Sequence, residues 1–189
     1  MKDKIKTTAK IKSEFCPVAK KCGGCQLQNM SYEEQLNFKQ AKVIKLLGKF
    51  HHVDKIIGME SPYNYRNKVQ AAFGTTKGGK IISGVYQSKS HKIVSIDSCR
   101  LEDKKADEII VTIRSMMKKY RMTAYNEFTK SGFLRHVLVK RSFSSGEIMV
   151  VLVTGTVVFP AKKAFIKELL SLHPEITTII QNINNDYTS

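Results

Sequence analysis

The spacing of apolar residues changes period along this chain, and that change most limits what it can fold into. From residue 65 the period is two: Tyr65, Val69, Ala71 and Phe73 alternate with Arg66, Lys68 and Gln70. Strand side chains point alternately to the two faces, so this is the pattern of a half-buried strand. Lys77-Gly78-Gly79-Lys80 reads as a turn, and 81–86 and 92–96 read as further strands. Between 102 and 120 the period becomes helical, with Ala106, Ile109, Ile110, Ile113, Met117 and Tyr120 on one stripe. A hairpin follows, 133–141 and 147–154 around Ser144-Ser145-Gly146, its second strand apolar on both faces as in a central strand. Pro160 opens a helix through Leu172, and 176–183 is a last strand. Upstream, Ser31-Tyr32-Glu33-Glu34 has capping-box spacing. Leu36, Val43, Ile44 and Leu47 then share a helical face until Gly48 ends it. Hairpins interspersed with helices predict an α+β fold, a mainly antiparallel sheet with flanking helices.

Charge narrows the partner. Thirty-two Lys plus Arg stand against sixteen Asp plus Glu, a formal charge of +16. Such an excess attracts polyphosphate, and nucleic acid is its usual partner. No apolar run approaches the roughly 20 residues that span a bilayer, and the charged start Met1-Lys2-Asp3-Lys4 is no secretory signal. No membrane partner and a cytoplasmic location are expected. Residues 1–15 read as a basic arm, 16–30 as a cysteine-rich segment, and 31–189 as a central domain.

The four cysteines are Cys16, Cys22, Cys25 and Cys99. Three stand as Cys-x5-Cys-x2-Cys, with Gly23 and Gly24 allowing a sharp bend that turns N–H groups toward the sulfurs. Lys20 and Lys21 lie beside them to offset thiolate charge. A cytosolic chain keeps its thiols reduced, which disfavours disulfides. Zinc sites of four cysteines usually pair two Cys-x2-Cys knuckles, and only one is present here. From spacing alone, zinc and an iron–sulfur cluster stay equally open.

Further residues carry a family resemblance. Cys16-Pro17, then Cys22-Gly23-Gly24-Cys25-Gln26-Leu27-Gln28 and Tyr32-x-x-Gln35-Leu36-x-Phe38-Lys39, resemble the opening of the cluster-bearing RNA (uracil-5-)-methyltransferases that act on large-subunit ribosomal RNA. Tyr65-Arg66-Asn67-Lys68-Val69, Gly84-Val85-Tyr86, His91-x-Ile93-Val94-x-Ile96-x-x-Cys99, Leu134-Arg135-His136-Val137 and Gln181-Asn182-Ile183-Asn184 match in the same order. The resemblance covers residues 15–185. It implies a [4Fe–4S] cluster on Cys16, Cys22, Cys25 and Cys99, in a central α/β domain that helps bind ribosomal RNA. It also implies that a following Rossmann-like domain binds S-adenosylmethionine and transfers the methyl group. Many members begin with a small β-barrel, for which residues 1–15 leave no room. A stand-alone zinc-stabilised RNA-binding module is the alternative.

Uracil C5 becomes nucleophilic only after a thiolate adds at C6, and a base must later remove the C5 proton. The cluster would engage all four cysteines, and no Gly-x-Gly occurs in the sequence. No catalytic residue is therefore assigned, and this chain alone is expected to be inactive. The candidate RNA contacts are Arg66, Lys68, Lys89, His91, Arg135, Lys140 and Arg141. Arg66, Lys68 and Gln70 are expected on one face of their strand, and Arg135 and His136 on opposite faces of theirs. Phe73, Tyr86 and Phe133 could stack on bases, but their pattern fits core packing better.

Overall fold

A computed structural model describes residues 16–88 and 90–186. The chain divides into two compact units, Met1–Pro62 and Tyr63–Ser189.

In the first unit a single turn, α1 (Ala19–Cys22), precedes the longer α2 (Tyr32–Leu47). The capping box forms as the spacing predicts: Glu34 N donates to Ser31 Oγ, and Ser31 N donates to the Glu34 carboxylate. Gly48 closes α2 with ordinary right-handed dihedrals, φ −60°, so its conformational freedom is not what ends the helix. The chain then runs back along α2. Gln40 donates to Asp54 O and accepts from Ile56 N, and Met59 N donates to the Tyr32 hydroxyl. The apolar stripe on α2 is not buried: Val43, Ile44 and Leu47 are exposed, and no α2 residue belongs to the core. No cluster-binding knot is defined among the described residues of this unit.

The second unit is built on a six-stranded sheet. It contains β1 (Lys68–Thr75), β2 (Ile81–Tyr86), β3 (Ile93–Ser95), β4 (Leu134–Arg141), β5 (Ile148–Thr154) and β6 (Ile176–Ile183), in the order β3-β2-β1-β4-β5-β6. Helix α3 (Lys104–Met116) joins β3 to β4, and α4 (Lys162–Leu172) joins β5 to β6. Every pairing is antiparallel except β5–β6, where the α4 crossover brings the chain back parallel. The fold is thus α+β with a mixed, mainly antiparallel sheet and flanking helices.

One face of the sheet forms the core. Val69, Ala71 and Phe73 of β1, Val137 and Val139 of β4, and Ile148, Val150 and Leu152 of β5 pack with Ile109 and Ile113 of α3 and Phe165 and Leu169 of α4. The expectation for β5 is corrected here. It is a central strand by pairing, but its burial alternates strictly, and Met149, Val151 and Val153 are only half-buried. Apolar residues on its second face meet neither α3 nor α4, which both pack on the first. The segment ahead of β1 also departs from expectation. Arg66 N donates to Leu101 O and Asp103 N to Arg66 O, so residue 66 bridges to Glu102 and the ladder to β4 starts at Lys68.

Candidate nucleic-acid interface

The face opposite the helices can be read row by row from the strand register. Lys68 of β1 lies opposite Lys140 of β4, which lies opposite Met149 of β5. The next row is Gln70, Leu138, Val151 and Ile180, and the third is Ala72, His136, Val153 and Asn182. Arg141 N donates to Asn67 O. Residues 67 and 141 are therefore a hydrogen-bonded pair, and Lys68–Lys140 is the neighbouring non-hydrogen-bonded pair, the type in which side chains stand closest. Both lysines are exposed. Like charges placed directly across strands destabilise the sheet unless an anion sits between them.

A polar corner adjoins this face. Tyr86 donates to Glu127 Oε1 at 3.0 Å, and His91 Nδ1 lies 2.9 Å from Glu127 Oε2. Burial, reinforced by the Glu127 charge, pushes the Tyr86 phenol up to about 12. The Tyr86 ring meets His136 edge-on, with centroids 6.1 Å apart. Burial holds His136 below the ordinary imidazole value and the Arg135 charge adds to it, so this ring is neutral at pH 7. His173 behaves alike: burial lowers it, its Nε2 bonds Thr112 Oγ1 at 2.9 Å, and its Nδ1 is buried without a partner.

A folded-state pKa held below the unfolded value gives stability that is present above that value and lost as pH falls through the folded one. Below about pH 6.5, the ordinary histidine value, the native state must therefore either protonate two buried rings or open. Wild type is expected to lose several degrees more in Tm between pH 7.5 and 5.5 than a His136→Gln/His173→Gln variant. Parallel pH profiles for the two proteins would refute this.

The other proposed contacts fall into different settings. Arg135 is buried, lies over the Tyr125 ring at 4.4 Å, and donates to the carbonyls of Asn184 and Asp186, pinning the segment after β6. Arg141 donates to Asp103 Oδ2 at 3.0 Å, on the helix side of the sheet. Arg66 lies at the Glu102 bridge, where its charge opposes the upward push that burial and Asp107 exert on that carboxyl. His91 is exposed, and Lys89 lies outside the described residues. Phe73 and Phe133 are core residues, whereas Tyr86 borders the open face. Sequence reasoning missed Glu127, which has no motif around it, and the Lys68–Lys140 opposition, which needs the register.

No disulfide joins the four cysteines, and all four are half-buried. After α1 the chain turns through Gly23 at φ +67°, and a Cβ on Gly24 would come within 3.3 Å of Cys22 Sγ, so the small residues keep that sulfur approachable. Burial pushes the Cys99 thiol up, with Glu102 and Asp107 adding to the rise against hydrogen bonds from the Leu101 and Glu102 backbone. Thiolates there need a positive centre to offset burial. The donor chemistry suits a metal or cluster, but among the described residues no group of three or more Cys, His, Asp or Glu side chains is placed to hold a metal ion. No helix among them is long and apolar enough to cross a membrane.

Comparison with known proteins shows what this fold resembles. Over nearly all of its length the chain is similar to part of several RNA methyltransferases. It is 44% identical over 181 residues to an uncharacterized RNA methyltransferase of Clostridium acetobutylicum, covering 92% of this chain and 39% of that protein. A Clostridium tetani protein of the same description is 43% identical over 178 residues, 92% of this chain and 38% of that protein. The crystal structure of Pyrococcus abyssi tRNA (uracil-54, C5)-methyltransferase in complex with S-adenosyl-L-homocysteine superposes with a TM-score of 0.69 at 25% identity, covering 88% of this chain and 38% of that one. The chain therefore spans about two fifths of the length of these relatives. No protein-family model matches it.

Proposed function

We infer that this chain is the RNA-binding part of an S-adenosylmethionine-dependent RNA (uracil-C5) methyltransferase acting on ribosomal RNA in the cytoplasm. The observation that carries the reading is the exposed Lys68–Lys140 pair on an open sheet face, in a chain of charge +16 homologous to RNA methyltransferases. Two ammonium groups on rigid adjacent strands suit a phosphate and do nothing for the fold itself. In this reading S-adenosylmethionine, the nucleophilic thiolate and the C5 base come from the remaining three fifths of the relatives' length, and the 189 residues alone bind without methylating. Deleting the coding region from its organism should remove 5-methyluridine from a ribosomal RNA position, as read by nucleoside mass spectrometry. An unchanged 5-methyluridine content would contradict the substrate.

Cys16, Cys22, Cys25 and Cys99 hold a [4Fe–4S] cluster in the same reading, supported by their donor chemistry, the absence of a disulfide among them and the glycine turn after α1. When bound, the cluster would link Cys99 covalently to the segment that carries the other three cysteines. Protein purified without oxygen should carry iron and acid-labile sulfide in equal amounts and lose both in Cys99→Ser. Zinc alone, without sulfide, would favour the zinc-stabilised module instead.

A further inference from the structure

Beside its lysine pair, the open sheet face carries a concavity whose lining is unlike that of a phosphate site. Its volume is about 490 Å³, within the range of roughly 300–1,000 Å³ typical of small-ligand sites. Leu138, Val151 and Val153 form an apolar floor, and Gln70, Asn182 and His136 stand around it. The floor residues come from two adjacent strands and stay only half-buried, because α3 and α4 both pack on the other face of the sheet. Gln70 and Asn182 present exposed amides, each with a donor and an acceptor, at opposite ends of neighbouring rows. The His136 ring is neutral and adds one donor and one acceptor. This arrangement suits a flat ligand with apolar faces and a hydrogen-bonding edge. Lys68 precedes Gln70 by two residues, roughly 7 Å along the strand, about the separation of a base from its own phosphate.

We propose that this concavity receives one unstacked nucleobase of single-stranded RNA, with the adjoining phosphate held between Lys68 and Lys140. The proposal rests on the RNA-binding reading above and adds to it the part of the RNA that is gripped. Unstacked bases are recognised through their faces by apolar and aromatic surface and through their edges by amides, and both are present in one place. The charge beside the site selects a polyanion over a protein segment as the occupant. Paired bases in a helix cannot enter, so the site distinguishes single strands from duplexes.

The test is fluorescence anisotropy with the 189-residue chain and two labelled strands: a short single-stranded RNA, and an abasic ribose-phosphate strand of equal length. Burying one base face against the aliphatic floor removes apolar surface from water, so the RNA should bind severalfold more tightly than the abasic strand. Val151→Lys fills the floor while adding a positive charge; it should weaken RNA binding and erase the difference between strands. Gln70→Ala/Asn182→Ala, at exposed positions, should cut the preference severalfold while leaving abasic affinity unchanged, and it decides the matter if Val151→Lys fails to fold. Equal affinity for both strands in wild type, or tighter binding of both by Val151→Lys, overturns the base site and leaves the RNA reading intact. Binding of neither strand removes both.

Discussion

Phe165→Ala should destabilise the second unit by about 3–5 kcal/mol and lower its Tm by on the order of 10 °C or more. Phe165 is fully buried, and its ring sits between Phe159, with centroids 5.5 Å apart, and Tyr120, edge-on at 5.7 Å. It is the residue by which α4 enters the core, alongside Leu169. The α4 crossover is also what lays β6 parallel on β5. Truncation leaves a cavity that three surrounding aromatic and aliphatic groups cannot close without moving α4. The loss is expected to reach the β6 side of the open face, so base discrimination should fall before the Lys68–Lys140 contribution does. A Tm within two or three degrees of wild type in thermal unfolding would show that α4 is not anchored this way.

Asp103→Ala carries the second large expected effect. Its Oδ1 accepts from Ala106 N and caps α3, while its Oδ2 accepts from Arg141 Nη1 at 3.0 Å. One almost fully buried carboxylate therefore fixes the start of the central helix and the end of β4. Losing an N-cap costs roughly 0.5–2 kcal/mol. Stranding the Arg141 guanidinium, whose Nε is already buried without a partner, costs more, although about a third of that side chain is exposed and solvent screens it. A total of about 2–4 kcal/mol is expected. Asp103→Asn keeps the cap and loses the charge, so it should fall between wild type and alanine. Denaturant unfolding that places asparagine and alanine together would show that the ion pair, not the cap, sets the effect.

Much of the scaffold was legible because its elements are amphipathic in a simple way. The bounds of β2 and β6 follow the apolar runs directly, and the capping box at Ser31 forms as its spacing demands. Helix α3 is shorter than its stripe. Asp103 caps it at one end, and beyond Met116 the chain tightens into a turn with Arg121 at φ +55°. Met117 nevertheless stays fully buried, because the stripe reports burial and not helicity. The parallel β5–β6 pair could not be read, since period-two patterns carry no strand direction.

The candidate site was only partly legible, for the same reason. Composition supplies many basic residues without saying which ones have partners. Arg135 and Arg141 are candidate RNA contacts in sequence, and only the fold shows that the first donates to the segment after β6 and the second to Asp103. Lys68 and Lys140 are 72 positions apart and become neighbours only through the β1–β4 register. The second face of β5 reads as core until the structure shows it only half-buried, with α3 and α4 both on the other face.

RNA affinity measured against salt concentration bears most directly on the whole interpretation. If phosphates lie on the open sheet face, log Kd for a single strand rises linearly with log salt, at about 0.7 per phosphate neutralised. Replacing Lys68 and Lys140 together by alanine should then reduce that slope by about 0.7, the share of one phosphate, with the fold intact by circular dichroism. An affinity that stays constant from low to high salt, or a slope untouched by the double replacement, would mean that this face does not hold RNA.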